Sequence, residues 1–188
     1  MSRKANILRS NNAIHILNCD HPKCASDFLI TLQAAINAGN NKILIQSSAK
    51  AVFPNACVPI RGVIDHYERK GITFTYDLDR ESYFSNCCFI TPLNKTREEL
   101  QAEKQPFGKI FMYENSGQVA DITQAFVNTI SHQLVCGDGV LGGLNWCINE
   151  VMDNVLLHSE AGHGFVMAQY HPSTCMVVFC IYVSTHLI

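Results

Sequence analysis

The sequence carries little charge and no long apolar run. Charged residues make up 16% of its 188 residues, and the formal net charge is −2 with histidine neutral. Without a basic surplus, electrostatics give no support for binding nucleic acid or an anionic membrane surface. The longest apolar run, Cys175–Val183, can form a buried strand, but a membrane-spanning helix needs about 20 residues. The opening segment MSRKANILRSNN has no apolar stretch typical of a secretory signal, so we expect a cytoplasmic protein.

Cysteine is abundant, but its spacing is not that of a disulfide or metal framework. The nine cysteines are odd in number, and most lie within apolar runs without any CxxC pair. We therefore predict reduced thiols that act as small core residues. Two alternatives stay open: a redox protein built on the cysteines, or a metal site that uses Cys19, Asp20, His21 and Cys24. A tetrahedral zinc site needs four ligands, and no second pair at matching spacing follows.

Strands and helices alternate along the first half of the chain. Apolar periodicity predicts strands at 13–18, 42–48 and 72–77, and helices at 24–39 and 54–71. We expect Pro59 to occupy the first turn of the second helix, where a proline costs no hydrogen bond. Alternation at this spacing favours βαβ units and a mainly parallel sheet.

The segment 91–108 interrupts this alternation. It contains two prolines, a run of charges and no apolar periodicity beyond Leu100. We read it as a linker with a short solvated helix, which divides the chain into an α/β domain at 1–92, a linker at 93–108 and a second domain at 109–188.

The second half has a different order of elements. The pattern predicts, in sequence, a strand, a helix, a glycine-rich turn, a second helix and two strands: 109–115, 116–134, 136–143, 144–158, 165–171 and 174–183. The last two strands can form a hairpin around His171, Pro172 and Ser173.

The helix at 144–158 combines two stripes of residues. One stripe is apolar and is predicted to face the core: Leu144, Ile148, Val151, Met152, Val155 and Leu156. The other consists of Glu150, Asn154 and His158, spaced by four, with Asp153 close by. The polar stripe can simply meet water. A solvated helix face usually carries Lys and Arg, however, and this segment has neither. We therefore expect it to meet a ligand.

The spacing of Glu150 and Asn154 suits one kind of chemistry. A carboxylate can accept a proton from an attacking water or hydroxyl. An amide oxygen one turn away can coordinate Mg²⁺, which prefers oxygen ligands and shares them with phosphates. The pair therefore predicts metal-assisted phosphoryl transfer from a nucleotide.

The stretch NEVMDNVLLHS also resembles the N-box, E-x-x-x-N, of the GHKL or Bergerat-fold ATPases, and most closely their anti-sigma factor kinases. The resemblance implies that Glu150 is the general base, that Asn154 binds Mg²⁺, and that ATP is the nucleotide. It places His158 beside the nucleotide pocket, with Asp153 as a further candidate nucleotide-binding residue. The helix, glycine-rich turn and helix before the two strands follow the family order.

The resemblance covers about residues 109–182. The family's next motif, D-x-G-x-G, reads adenine and permits lid movement, but residues 183–188 carry neither Asp nor Gly. We therefore expect a truncated Bergerat-type α/β sandwich with impaired activity. We also expect the strand at 174–183 to be an unprotected edge through which the chain can self-associate.

The first half resembles a STAS-type α/β domain in its element order and in FPNACVPIRGVIDHYERKG. In that family the start of this helix presents a phosphorylatable hydroxyl. Ser47 and Ser48 lie just upstream, without a clear match. STAS-like and Bergerat-like modules in one chain imply partner switching with another regulatory protein in a bacterium. The alternative is a non-enzymatic interaction module of the STAS type.

Overall fold

The structure is a computed structural model that describes residues 6–49, 52–79, 82–103, 105–158 and 162–183. The chain is mixed α/β and divides into two compact units, Met1–Thr91 and Pro92–Ile188, each with its own sheet. Among the helices within these ranges, none combines the length and apolar character needed to cross a membrane.

Within its described residues, the first unit contains a four-stranded sheet and three helices. Its elements in chain order are β1 (Ile7–Ser10), β2 (Ala13–Ile16), α1 (Lys23–Asn37), β3 (Lys42–Ser47), α2 (Pro54–Arg69), β4 (Thr73–Leu78) and α3 (Tyr83–Asn86). The strand order is β1-β2-β3-β4; β1 pairs with β2 antiparallel, and β2, β3 and β4 are parallel. The predicted βαβ units and mainly parallel sheet are confirmed.

The two long helices of the first unit pack on one another and on one face of the sheet. Alternate strand residues such as Ile14, Ile43 and Ile45 are fully buried on that face. Their neighbours His15 and Gln46 point to the other face and stay partly accessible. The first unit therefore has one apolar, covered sheet face and one polar face.

Helix α2 begins at Pro54, and Pro59 lies inside it. The expectation that Pro59 occupies the first turn is wrong, because Pro54 already takes that position. An interior proline removes one helical hydrogen bond, the one that the carbonyl of Asn55 would accept. Asn55 is exposed, so water can reach that end of the helix. The rest of the helix remains regular to Arg69.

The part of the second unit that the structure describes contains a three-stranded sheet and three α-helices. Its elements are α4 (Arg97–Ala102), β5 (Ile110–Tyr113), α5 (Ser116–Gln133), α6 (Val140–His158), β6 (Gly164–His171), a 3₁₀ turn (Pro172–Thr174) and β7 (Met176–Val183). All pairings in the order β5-β6-β7 are antiparallel, which confirms the predicted hairpin at the end of the chain. Within the described residues, β7 pairs with β6 alone.

Residues 93–108, predicted as a linker, belong to the second unit. Leu93 forms a bridge with Phe111 of β5, and Leu100 of α4 is buried in the core of this unit. The carboxylate of Glu103 then binds both Lys95 and Lys109, the latter at 2.8 Å. A sequence rich in prolines and charges thus folds against the unit through two apolar contacts and one ionic clamp.

Helix α5 buries all five of its predicted core residues: Val119, Ile122, Phe126, Val127 and Ile130. The Phe126 ring lies 5.9 Å from that of Phe107 and 5.7 Å from those of Phe111 and Phe179. This aromatic group joins α5 to the sheet. Helix α6 begins at Val140, so Gly142 and Gly143 belong to the helix and not to the predicted turn.

Candidate functional site

Helix α6 buries a narrower stripe than its sequence predicts. Ile148, Met152 and Val155 are buried against α5 and the sheet, and Leu144 and Leu156 are partly buried there. Val151 is 49% exposed, so its assignment to the core is wrong. A stripe of six apolar positions spans more of the circumference than the neighbouring elements cover, and the side that carries Val151 remains open.

The remaining side of α6 forms a continuous exposed surface. It consists of Trp146, Cys147, Glu150, Val151, Asn154, Leu157 and His158, and we refer to it as the outer face of α6. The three residues of the predicted polar stripe therefore lie together. Asn154 Nδ2 donates a hydrogen bond of 3.2 Å to Glu150 Oε1. No ion pair found in the described part of the chain involves Glu150.

Asp153 lies apart from the outer face. It is partly buried, and its Oδ1 atom is buried with no hydrogen-bond partner among the described residues. The hydroxyl of Tyr113, whose side chain is fully buried, also has no hydrogen-bond partner among the described residues. Burial, and then the charge of Asp153, raises the pKa of Tyr113 far above its usual range, so its hydroxyl stays protonated. Asp153 thus belongs with Tyr113 between α6 and β5, not with Glu150.

The donor set on the outer face fits Mg²⁺ in part. Because the amide nitrogen of Asn154 bonds to Glu150, its carbonyl oxygen is directed away and can accept a cation. The Glu150 carboxylate lies on the nitrogen side of the same amide and does not face the cation position of that oxygen directly. Mg²⁺ is commonly held by one or two protein oxygens and completes its octahedron with water and phosphate. Among the described residues, no three His, Cys, Asp or Glu side chains converge on one metal position. Any such ion would depend on a phosphate ligand.

Sequence reasoning missed the apolar part of the outer face. Trp146 is 67% exposed and Leu157 is 78% exposed, beside the exposed Val151. Trp146 also lines a groove of about 470 Å³ between α5 and α6 with Val127 and Leu141. One signal was present: the only Trp of the chain lies one turn before Glu150, on the same side of the helix.

A second polar arrangement lies in the first unit. His15, Gln46 and Asp77 stand side by side on β2, β3 and β4, and Gln46 Nε2 donates to Asp77 Oδ2 at 2.7 Å. They line a cavity of about 350 Å³ at the carboxyl ends of these parallel strands, together with Ser47, Ser48, Leu78 and Asp79. Ligands of α/β proteins commonly bind at this edge of the sheet. The sequence contained a signal for this arrangement, because His15 and Gln46 are polar residues within the apolar runs that form β2 and β3.

The other residues singled out in the sequence have different positions. Ser47 and Ser48 lie at the end of β3, whereas the first turn of α2 presents Asn55. Cys19 and Cys24 are buried, and burial is the main cause that raises the pKa of each thiol.

No protein-family model, curated protein sequence or solved structure gives a significant match to this chain.

Proposed function

We propose that the second unit binds the phosphates of a nucleotide together with Mg²⁺, as a regulatory protein of the GHKL type. The observation that carries the proposal is the hydrogen-bonded pair of Glu150 and Asn154 on the outer face of α6. Both side chains are exposed, and the helix contains neither Lys nor Arg to neutralise the Glu150 carboxylate. A cation from solution is therefore the natural counter-charge for this carboxylate.

Each side chain has a separate role in the proposal. Asn154 holds the Glu150 carboxylate through Oε1, which leaves the second oxygen to accept a proton from a water or a hydroxyl. The carbonyl oxygen of Asn154 would hold Mg²⁺, which supplies positive charge next to the phosphates. His158 lies one turn further along and can donate to a phosphate oxygen. Asp153 lies apart from the outer face, with its Oδ1 atom buried near Tyr113, so the proposal gives it no contact with the nucleotide.

The biological role that suits this chemistry is partner switching. The nucleotide's terminal phosphoryl group would pass to a hydroxyl of a regulatory protein partner, with Glu150 accepting the proton of that hydroxyl. The bond to the leaving diphosphate breaks as the new phosphate ester forms. Because the outer face is open to solvent, a partner can approach Glu150 directly.

Titration calorimetry of the whole chain with Mg-ATP tests the proposal. We expect heat that disappears when Mg²⁺ is chelated. Asn154→Ala should weaken Mg-dependent binding by roughly 10-fold to 100-fold, because it removes a metal ligand and the support of Glu150. Glu150→Gln should leave binding within about threefold and reduce turnover by about 100-fold or more, since the amide cannot accept the proton. The absence of heat at millimolar nucleotide would contradict the proposal.

Helix α5 provides a matched control. Gln124 Nε2 donates to Asn128 Oδ1 at 2.7 Å, an exposed pair with the same spacing as Glu150 and Asn154 but without a carboxylate. Asn128→Ala removes an amide from the neighbouring helix and should leave the calorimetric signal unchanged. An equal loss of heat in Asn128→Ala and Asn154→Ala would show that the effect is not specific to the outer face of α6.

A second candidate function is a non-enzymatic interaction module of the STAS type in the first unit. The open polar sheet face with His15, Gln46 and Asp77 favours it, because the cavity there offers donors and acceptors to a protein partner. The full chain should capture such a partner, and His15→Ala combined with Asp77→Ala should abolish capture. The control is Asn37→Ala at the exposed end of α1. Equal capture by all three proteins would exclude this face.

A further inference from the structure

The groove between α5 and α6 adjoins the outer face of α6, and no step of the proposed function uses it. Its volume is about 470 Å³, which is within the range of small-molecule sites. Its lining combines three large apolar side chains with three side-chain amides: Val127, Leu141 and Trp146, and Gln124, Asn145 and Asn149. We refer to it as the Trp146 groove. Apolar and aromatic side chains with a few placed polar groups are typical of sites for small organic ligands.

Trp146 gives this groove an accessible aromatic ring. The side chain is 67% exposed, although tryptophan is highly buried on average in folded proteins. Gly142 lies one turn before it and also lines the groove, and an added Cβ atom there meets no atom within 4 Å. Open space therefore lies beside the indole. Every nucleobase has a flat π face that stacks on an aromatic side chain.

The amides of the groove are hydrogen-bonded in one direction. Asn149 Nδ2 donates to Asn145 Oδ1 at 2.7 Å, and Asn145 Nδ2 donates to Gln124 Oε1 at 3.3 Å. Asn149 Nδ2 also donates to the backbone carbonyl of Asn145 at 2.8 Å. Its nitrogen is thus used twice, whereas its Oδ1 atom accepts no hydrogen bond from the described residues. The groove therefore presents a free acceptor three residues along the helix from Trp146.

This lining selects a ring that can both stack and donate. Residues three apart on a helix are neighbours, with about 5 to 6 Å between their Cβ atoms, so a ring on Trp146 lies within reach of Asn149. Adenine has a flat face and an exocyclic amino group that donates hydrogen bonds. We propose that the Trp146 groove binds an adenine base, which stacks on the Trp146 indole and donates its amino group to Asn149 Oδ1.

With a whole nucleotide as the occupant, the inference rests on the proposed function. Trp146 and Asn154 are eight residues apart, which corresponds to about 12 Å along the helix, and Glu150 lies between them. A ribose and an extended triphosphate bridge such a distance. The base would then lie in the groove and the phosphates beside Asn154. This arrangement holds adenine without a D-x-G-x-G motif.

Fluorescence tests the groove directly, because Trp146 is the only tryptophan of the chain. Adenosine carries no phosphate, and its addition to the whole chain should quench the emission of Trp146 with saturation. One stacked base with one hydrogen bond binds weakly, and we expect a dissociation constant of about 0.1 to 10 mM.

A groove-filling variant keeps the fluorophore and removes the space beside it. Gly142→Leu should weaken the binding of adenosine about tenfold or more, because its side chain occupies the position of the base. Gly143→Leu, at the next position of the helix and outside the groove lining, is the control and should leave the affinity within about threefold. Quenching that does not saturate, or that is equal in Gly142→Leu and the wild type, contradicts the proposal.

The hydrogen bond to Asn149 is tested by changing the ligand and the chain together. Purine riboside has the same ring system as adenosine but no amino group, so it should bind the wild type about fivefold more weakly. Asn149→Ala should weaken adenosine to the same extent and leave purine riboside within about twofold. If Asn149→Ala weakens both ligands equally, the amino group is not recognised at Asn149 and the proposal is wrong.

Calorimetry separates this inference from the proposed function. Mg-ATP should bind the wild type about tenfold or more tightly than Mg-tripolyphosphate, which has phosphates but no base, and Trp146→Ala should remove that difference. Equal affinity for the two compounds, with heat that chelation of Mg²⁺ abolishes, would overturn the groove and leave the proposed function intact. Saturable quenching by adenosine without Mg-dependent heat from either compound would support the groove and contradict the proposed function.

Discussion

Helices α5 and α6 lie side by side in the second unit, yet they use their apolar residues differently. Every large apolar side chain in the core stripe of α5 is buried, with Phe126 at the centre of an aromatic group. Helix α6 leaves Trp146, Val151 and Leu157 exposed on the same face as Glu150 and Asn154. Helix α6 has the higher apolar content of the two and still leaves more of its large apolar side chains exposed, so apolar composition alone does not predict which residues are buried.

The difference arises from what covers each helix. Helix α5 packs against α6, α4 and β5. Helix α6 packs against α5, β6 and β7, which leaves the opposite side open. An apolar residue on a helix is therefore buried only where neighbouring elements cover that side of the helix. If this is correct, substitutions on the two helices should differ greatly in their cost.

The largest effect is expected for Phe126→Ala on α5. The ring is fully buried and stacks or packs edge-on with Phe107, Phe111 and Phe179, so its removal leaves a cavity that rigid neighbours cannot fill. We expect a loss of about 3 to 5 kcal/mol in the free energy of unfolding, measured by urea denaturation. Gln133→Ala, at the exposed end of α5, should change it by less than about 0.5 kcal/mol. A cost below about 1 kcal/mol for Phe126→Ala would contradict the burial of this ring at the centre of the aromatic group.

Gly164→Ala tests the buried side of α6. A Cβ atom there would overlap the Tyr113 hydroxyl and lie 2.8 Å from Val155 Cγ1 of α6. Because Tyr113 is fully buried, it cannot move aside, and we expect a loss of about 2 to 3 kcal/mol in unfolding free energy. Gly142→Ala on the open side of α6 is the control, since an added Cβ meets no atom within 4 Å. It should stabilise the chain by up to about 1 kcal/mol. Similar costs for both changes would mean that α6 has no open side.

The sequence predicts the secondary structure well where the apolar periodicity of a segment matches the side of it that is buried. The five core residues of α5 repeat at helical spacing, and the parallel strands β2 to β4 alternate with helices as βαβ units do. Strand β1 was missed because Ile7 and Leu8 are its only apolar residues, and its pairing with β2 determines its structure. The packing of segment 93–108 was not predicted, because a run of charged residues usually indicates exposure to solvent. Here the Glu103 carboxylate instead binds the ammonium groups of Lys95 and Lys109.

The candidate site could be predicted only in part. The spacing of Glu150 and Asn154 places them on one helix face whatever the tertiary structure, so their proximity could be predicted, whereas the hydrogen bond between them is known only from the structure. The separation of Asp153 from them depends on where β5 places Tyr113, which no local pattern contains. The exposure of Val151 depends on which neighbours cover α6. Spacing along the helix predicts which residues share a direction, and tertiary packing determines which of those residues are exposed.

Glu103→Gln tests the ionic clamp that Glu103 forms with Lys95 and Lys109 at the end of α4, the short helix that packs on α5. Hydrogen bonds from Lys109 and then Lys95 lower the pKa of Glu103 to about 2. Since the pKa is lower in the folded state, this carboxylate stabilises the fold above its ordinary pKa of 4.5, and the contribution is lost as the pH falls from 4.5 towards 2. We expect Glu103→Gln to cost about 1 to 2 kcal/mol at pH 7. The difference from the wild type should shrink in chemical denaturation at pH 3. A difference independent of pH would exclude the ionic clamp.

The smallest effects are expected on the outer face of α6, for Val151→Ser and Leu157→Ser. Both side chains already contact water, so each change should alter the free energy of unfolding by less than about 0.5 kcal/mol in urea denaturation. A cost of about 2 kcal/mol or more would mean that α6 is surrounded as α5 is, and the contrast between the two helices would disappear.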